Sequence, residues 1–247
     1  MQFFKLLIFL LSLLNITLLH GQSSQKKERF VGINGGAIIP IDYFGAGPLD
    51  INHDHTSITL SSKFGYQFGM IMRTNYNDRL SFETGICFTR RNFELKGSSF
   101  SQGINKDTSD FGYINYSLPF KGGVFIQLGE NFYMNTFIGA NLDFYASAVA
   151  SQGHQYNIDH YSERARWINA SLTADLGVEW RGDEKGIFYF GAGVNIPISA
   201  IAVTRLKYYY TNTDYDNYDP IFLRGNYLAI KLKYFFPISL EKTPDKN

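Results

Sequence analysis

Residues 167–180 read WINASLTADLGVEW, a stretch rich enough in Ala, Leu, Asp and Glu to suit a helix. Its apolar residues nonetheless recur at every second position: Ile168, Ala170, Leu172, Ala174, Leu176, Val178 and Trp180 oppose Trp167, Asn169, Ser171, Thr173, Asp175, Gly177 and Glu179. A helix would scatter the first set around its circumference, whereas a strand sends successive side chains to opposite faces. The stretch is therefore expected to be a strand, well beyond the usual length of about 5–6 residues.

The same period returns along the chain. In LSFETGICFTR, Leu80, Phe82, Thr84, Ile86 and Phe88 oppose Ser81, Glu83, Gly85, Cys87 and Thr89. KFGYQFGMIMR sets Phe64, Tyr66, Phe68, Met70 and Met72 against Lys63, Gly65, Gln67, Gly69 and Arg73. YINYSLPFKGG, FYMNTFIGANLDFYA, IFYFGAGVNIPI, YLAIKLKYFF and a weaker RFVGINGGAII complete a set of eight strands. Short connections bearing turn residues (TNYND, LGEN, RGDEK) alternate with long ones at 40–56, 93–111, 149–164 and 200–222. That layout predicts an all-β fold, an eight-stranded antiparallel up-and-down transmembrane β-barrel with short periplasmic turns and long external loops. A soluble, lipocalin-like binding barrel is the competing architecture. Strands of about 10 residues or more suit a tilted bilayer crossing. Mixed Gly, Asn and charge on the polar faces, and aromatics near strand ends (Tyr116, Phe132, Phe144, Trp180, Tyr234, Phe236), also favour the membrane form.

A net charge of +1 gives no global field that would attract nucleic acid. At the start, Lys5, an apolar run from Leu6 to Leu19 and the small Gly21 have the layout of a cleavable secretory signal peptide over 1–21. Residues 22–247 then form the barrel domain, with PISLEKTPDKN after Phe236 as a short periplasmic C-terminal tail, and the expected location is the cell outer membrane. Cys87 is the sole cysteine, so no intrachain disulfide stabilises the exported chain.

The segment Tyr113–Ala148, YINYSLPFKGGVFIQLGENFYMNTFIGANLDFYASA, resembles the central hairpin of the PorT-like outer-membrane β-barrel family of Bacteroidetes. Tyr113, Ile114, Leu118 and Lys121 match that family's strand pattern, while Asn115 replaces its acid and the proline stands at 119 rather than 117. The resemblance implies an outer-membrane location and, for a few members, roles in protein secretion or gliding. It carries no functional residues to this chain.

On the polar faces, Lys63, Arg73, Glu83, Lys121, Asp143, Asp175, Glu179, Lys231 and Lys233 are expected to form a lumen charge network. At eight strands side chains just fill the interior, so these charges would lock the barrel rather than line a pore. Asp175 and Glu179 should then face basic partners. His53, His55, His154 and His160 are the candidates for a metal site in external loops, against the commoner case of solvated loop histidines. TDYDNYD, with Asp214, Asp216 and Asp219, lacks the Gly and Glu of a calcium loop, and no cofactor is implied. His55 and Ser57 stand two apart, as in some outer-membrane lipid A deacylases, and are the catalytic candidates for the alternative of a lipid-modifying enzyme. The principal expectation is a non-enzymatic barrel in contact with outer-membrane lipid. Its external loops or periplasmic face would engage a protein partner, in a structural or secretion-associated role.

Overall fold

The computed structural model describes residues 28–42, 47–53, 55–99, 105–146, 148–182, 185–211 and 214–237. The expected signal peptide, and the tail beyond Pro237, lie outside the described residues. All regular structure described is strand: β1 (Glu28–Pro40), β2 (Leu49–Asn52), β3 (Thr56–Asn75), β4 (Leu80–Ser99), β5 (Asn105–Gln127), β6 (Phe132–Tyr145), β7 (Ala148–Gln152), β8 (Ile158–Arg164), β9 (Ile168–Gly182), β10 (Gly186–Pro197), β11 (Ala202–Tyr209), β12 (Tyr215–Asn217), β13 (Ile221–Leu223) and β14 (Tyr227–Phe235).

One antiparallel sheet runs β1-β14-β10-β9-β6-β5-β4-β3-β2 and returns on itself through an additional β1–β3 pairing that extends from Glu28↔Asn75 to Ile38↔Gly65. Closing the sheet removes the edges that would otherwise pair with other chains. The short turns follow β3, β5 and β9 at one end of the ring. In the first of them the Asn77 carboxamide oxygen accepts from the backbone N–H groups of Arg79 and Leu80 at 2.9 and 2.7 Å.

The long connections are not plain loops. The sequence pattern places a connection at 93–111, but β4 and β5 continue through most of it, paired from Phe93↔Phe111 to Ser99↔Asn105. The other long segments contain β2, β7, β8, β11, β12 and β13, of which β12-β11-β8-β7 form a second sheet with β13 paired to β11. The reason is visible along β4. From Leu80 to Phe88 its even positions are mostly apolar and outward; beyond that, the odd positions become Phe93 and Leu95, and the even ones Arg90, Asn92, Glu94 and Lys96. The strand is uninterrupted, but its two faces exchange polarity.

β5 makes the same exchange, with Phe111 and Tyr113 giving way to Asn115 and Ser117 on one face. In β3 the exchange coincides with a register shift between Lys63 and Tyr66. Such a bulge inserts an extra residue and moves every later side chain to the other face. Thus Ile58 and Leu60 are buried on even positions, whereas Gln67, Ile71 and Arg73 are buried on odd ones.

Against these apolar inner faces packs the second sheet. Ile58, Leu60, Phe93, Leu95, Phe111 and Tyr113 form one cluster with residues of β8, β11 and β13, among them Ile158, Leu206, Tyr208 and Leu223. The result is a sandwich-like cap continuous with the ring. It is latched by Asp107 of β5, whose buried carboxylate accepts from the backbone N–H groups of Gln155, Asn157 and Ile158 at 2.9, 2.8 and 3.2 Å. Replacing Asp107 by Ala should leave these donors unsatisfied, at a cost of about 3 kcal/mol. Hydrogen exchange should show faster exchange confined to 153–160, with the ring strands unaffected.

Candidate functional site

Below the cap, the inner face of the ring is polar and nearly filled. Arg73, fully buried, donates from Nε and Nη2 to Glu83 Oε1 at 3.0 and 2.7 Å and from Nη1 to Glu179 Oε2 at 2.8 Å. β3 and β9 are as far apart as the ring order allows, so this guanidinium spans the lumen. It also lies over the Phe235 ring, 4.0 Å from the centroid. Lys233 joins Glu83 at 2.7 Å and stands 3.7 Å from Asp175. Asp175 in turn accepts from Lys121 at 2.8 Å and Lys231 at 2.5 Å. The carboxylates at 175 and 179 therefore both have basic partners across the lumen. Gly193 makes room for this arrangement, because a Cβ there would collide with the Asp175 carboxylate.

Nearer the cap, Asp143 accepts from Ser117 at 2.5 Å and Asn115 at 3.2 Å. Arg91 donates to Asn115 Oδ1 and to the Gly225 carbonyl, at 2.5 and 3.0 Å. A cavity of about 30 Å³ remains among Asn34, Cys87, Ser117, Lys121, Asn195 and Lys233, room for about two waters.

One expected member of the network is elsewhere. Continuing the parity of Arg73 along β3 puts Lys63 in the lumen, but the bulge reverses that parity. Its ammonium is on the outside, 3.0 Å from Asp110 and 3.7 Å from Glu94. Conversely, Arg91 and Arg181 belong inside, although the strands read from the sequence end at Arg90 and Trp180. Extending each alternation by one residue finds both: Arg181 donates to Glu179 Oε1 at 2.7 Å.

The histidines are not brought to one point, and among the described residues no group of three or more His, Cys, Asp or Glu side chains could hold a metal. His53 Nδ1 is 3.2 Å from Asp216, and His55 packs on the Tyr210 ring. His154 Nδ1 contacts the Thr108 carbonyl at 2.8 Å. His160 is buried in the cap, stacked on Phe111 with Ser151 and Ser162 hydroxyls 3.0 and 2.6 Å from its two ring nitrogens. His55 and Ser57 share no hydrogen bond, and Thr56 between them turns inward to Asp216 and Tyr218, both at 2.5 Å.

No family model matches the chain, and no curated protein does. Among solved structures it is similar to the translocator domain of autotransporter NalP from Neisseria meningitidis, at 10% identity over 91% of this chain and 92% of that one, with a TM-score of 0.35. So distant a likeness says nothing about activity.

Removing one partner of a buried ion network strands the others in low dielectric. Glu83→Ala, which leaves Arg73 and Lys233 short of a carboxylate, should cost about 3–5 kcal/mol in urea unfolding. Lys63→Ala should cost less than about 1 kcal/mol in the same assay, as for an exposed pair. The cap has a pH dependence of its own. Burial pushes the His160 imidazole down to about 4, so the unfolded chain binds a proton that the folded chain excludes. That stability is fully present above the ordinary value of 6.5 and is lost as pH falls from there to about 4. Limited proteolysis of the cap across that window should show progressive opening in the native protein, and a flatter profile in His160→Gln.

Proposed function

We propose that the chain is an eight-stranded outer-membrane β-barrel whose role is non-enzymatic: a lumen locked by ion pairs below, and a rigid external cap above that engages a partner. The observation that carries the reading is the exchange of polarity along β3, β4 and β5. In the ring the outward residues are apolar and exposed, with Phe64 and Ile138 at 70%, Leu232 at 62% and Phe190 at 57%. A water-soluble barrel would have this inside out. On β5 the outward apolar run from Tyr116 to Ile126 spans about 25 Å at roughly 3.3 Å per residue and a tilt near 40°, the height of an outer-membrane apolar band. The soluble, lipocalin-like reading has no solvent to offer that belt.

Filled by side chains, the interior leaves no aqueous path for solutes, so function falls to the surfaces. The outer face of the second sheet presents Tyr161 and Tyr215 with Arg205 and Lys207, Arg205 paired to Glu163 at 2.9 Å. Tyrosines of this kind give large contact area at low entropic cost, and they support the cap as the partner-binding element. Membership of the PorT-like family, and with it a secretion-associated role, belongs to the same reading and is supported by the hairpin residues Tyr113, Ile114, Leu118 and Lys121.

Fractionation tests the membrane assignment. The native protein should remain with outer membranes after carbonate washing and migrate faster on gels when unheated; release by carbonate would overturn it. In planar bilayers it should give no steady ion conductance. Crosslinking in native membranes should join a partner to cap residues such as Tyr161 or Tyr215.

A further inference from the structure

The cap-side rim of the apolar belt is not electrically neutral. Tyr66, Arg90 and Ile114 are partners across β3, β4 and β5. The next strand continues the level, since the Ala146 N–H bonds to the Ile114 carbonyl at 3.1 Å and the Tyr145 N–H to the Trp167 carbonyl at 3.2 Å. Arg90 on β4, and Arg166 just before β9, each stand where the outward apolar run of their own strand ends. Both are exposed, and among the described residues neither has a carboxylate partner.

Each arginine has an aromatic neighbour, Tyr66 across the sheet from Arg90 and Trp167 along the chain from Arg166. Below Arg90, Phe88 stacks on Phe68 with centroids 4.8 Å apart and meets Tyr116 edge-on at 5.7 Å. Trp167, which follows Arg166 in the chain, is 66% exposed, with the Arg164 guanidinium 5.9 Å from its ring centroid. Arg90 is also held in place: Nε donates to Asn92 Oδ1 at 3.1 Å, Asn92 donates to the Phe64 carbonyl at 2.7 Å, and Gly112 leaves the space beside the guanidinium that a Cβ would fill. The groove so formed, about 540 Å³, is lined by Phe64, Arg90, Asn92, Gly112 and the Lys63–Asp110 ion pair, in which the two charges neutralise each other and leave Arg90 as its unpaired charge. An immobilised, unneutralised fork of N–H donors over an apolar surface matches a phosphate attached to acyl chains.

We infer that Arg90 and Arg166 form binding sites for the phosphate groups of a phosphorylated glycolipid of the lipid A type, in the leaflet on the cap side. The inference rests on the membrane reading above. The lipid's chains lie along the exposed aromatic and aliphatic belt while its phosphate receives the guanidinium N–H groups, and Lys63, tied to Asp110 and Glu94, takes no part.

The test uses the full chain in detergent, measured by native mass spectrometry against lipid A bearing both phosphates and against the same lipid dephosphorylated. The native protein should prefer the phosphorylated form, and the double variant Arg90→Gln, Arg166→Gln should lose about thirtyfold in affinity for it. Arg79→Gln, at the opposite end of the ring, should bind like the native protein. Equal binding of the two lipids, an unchanged double variant, or displacement of the lipid by inorganic phosphate alone would overturn the inference. Carbonate washing of membranes bearing the native and doubly substituted chains separates the two levels. If both stay membrane-integral without a phosphate preference, only the lipid site fails; if the native chain is released, the barrel reading fails with it.

Discussion

A strand has two faces and no third, and in β3, β4 and β5 those two faces must serve two environments in succession. Within the ring the inward face meets other polar side chains and the outward face is apolar; in the extension the inward face meets the second sheet and the outward face meets water. Everything else in the fold follows from where the exchange occurs. It is aligned across neighbours, at Lys63–Tyr66 in β3, Arg90–Asn92 in β4 and Gly112–Ile114 in β5, because the ladders on either side of the bulge fix the register of the strands. An exchange displaced by one residue in one strand alone would put an apolar side chain among charges, or a charge in the belt.

Polar filling of the ring then imposes its own condition. Charges withdrawn from water need partners with good geometry, and a closed ring of strands supplies many of them from across the lumen. Arg73 reaches Glu179 on the facing strand, and Lys121 and Lys231 meet at one carboxylate, Asp175. The aromatic rings of Phe235 and Phe137 flank Arg73, excluding water from the pairs. In a chain with one cysteine, and so no intrachain disulfide, the cross-lumen ties are what join strands distant in sequence through their side chains.

Alternation makes most of the ring legible. The opposed sets in WINASLTADLGVEW correspond to β9, where Asn169, Ser171, Thr173, Asp175 and Glu179 are buried and Leu172 and Leu176 exposed. What alternation hides is the cap. A strand whose apolar positions move from even to odd looks, to a test that follows one parity, like a strand that has ended. FELKG therefore falls in an expected connection although Phe93 and Leu95 are among the most deeply buried side chains. The second sheet is hidden for a different reason. Its strands are short, three to eight residues, and their stability comes from packing on a surface made by distant segments, which local pattern does not reveal.

The bulge in β3 shows why the error at Lys63 and the success at Arg73 have one origin. Both residues are odd-numbered and cationic, and both lie on a strand that alternates without a Pro or a charge run to mark a break. Only Gly65, paired with Ile38 on β1 and leaving no room for a Cβ against the Arg90 carbonyl, signals that the backbone is tightly approached there. The extra residue serves the segments on both sides of it. It keeps Ile58 and Leu60 facing the cap while Arg73 faces the lumen, so a single strand can contribute to an apolar core and to an ion network without any side chain pointing into the wrong medium.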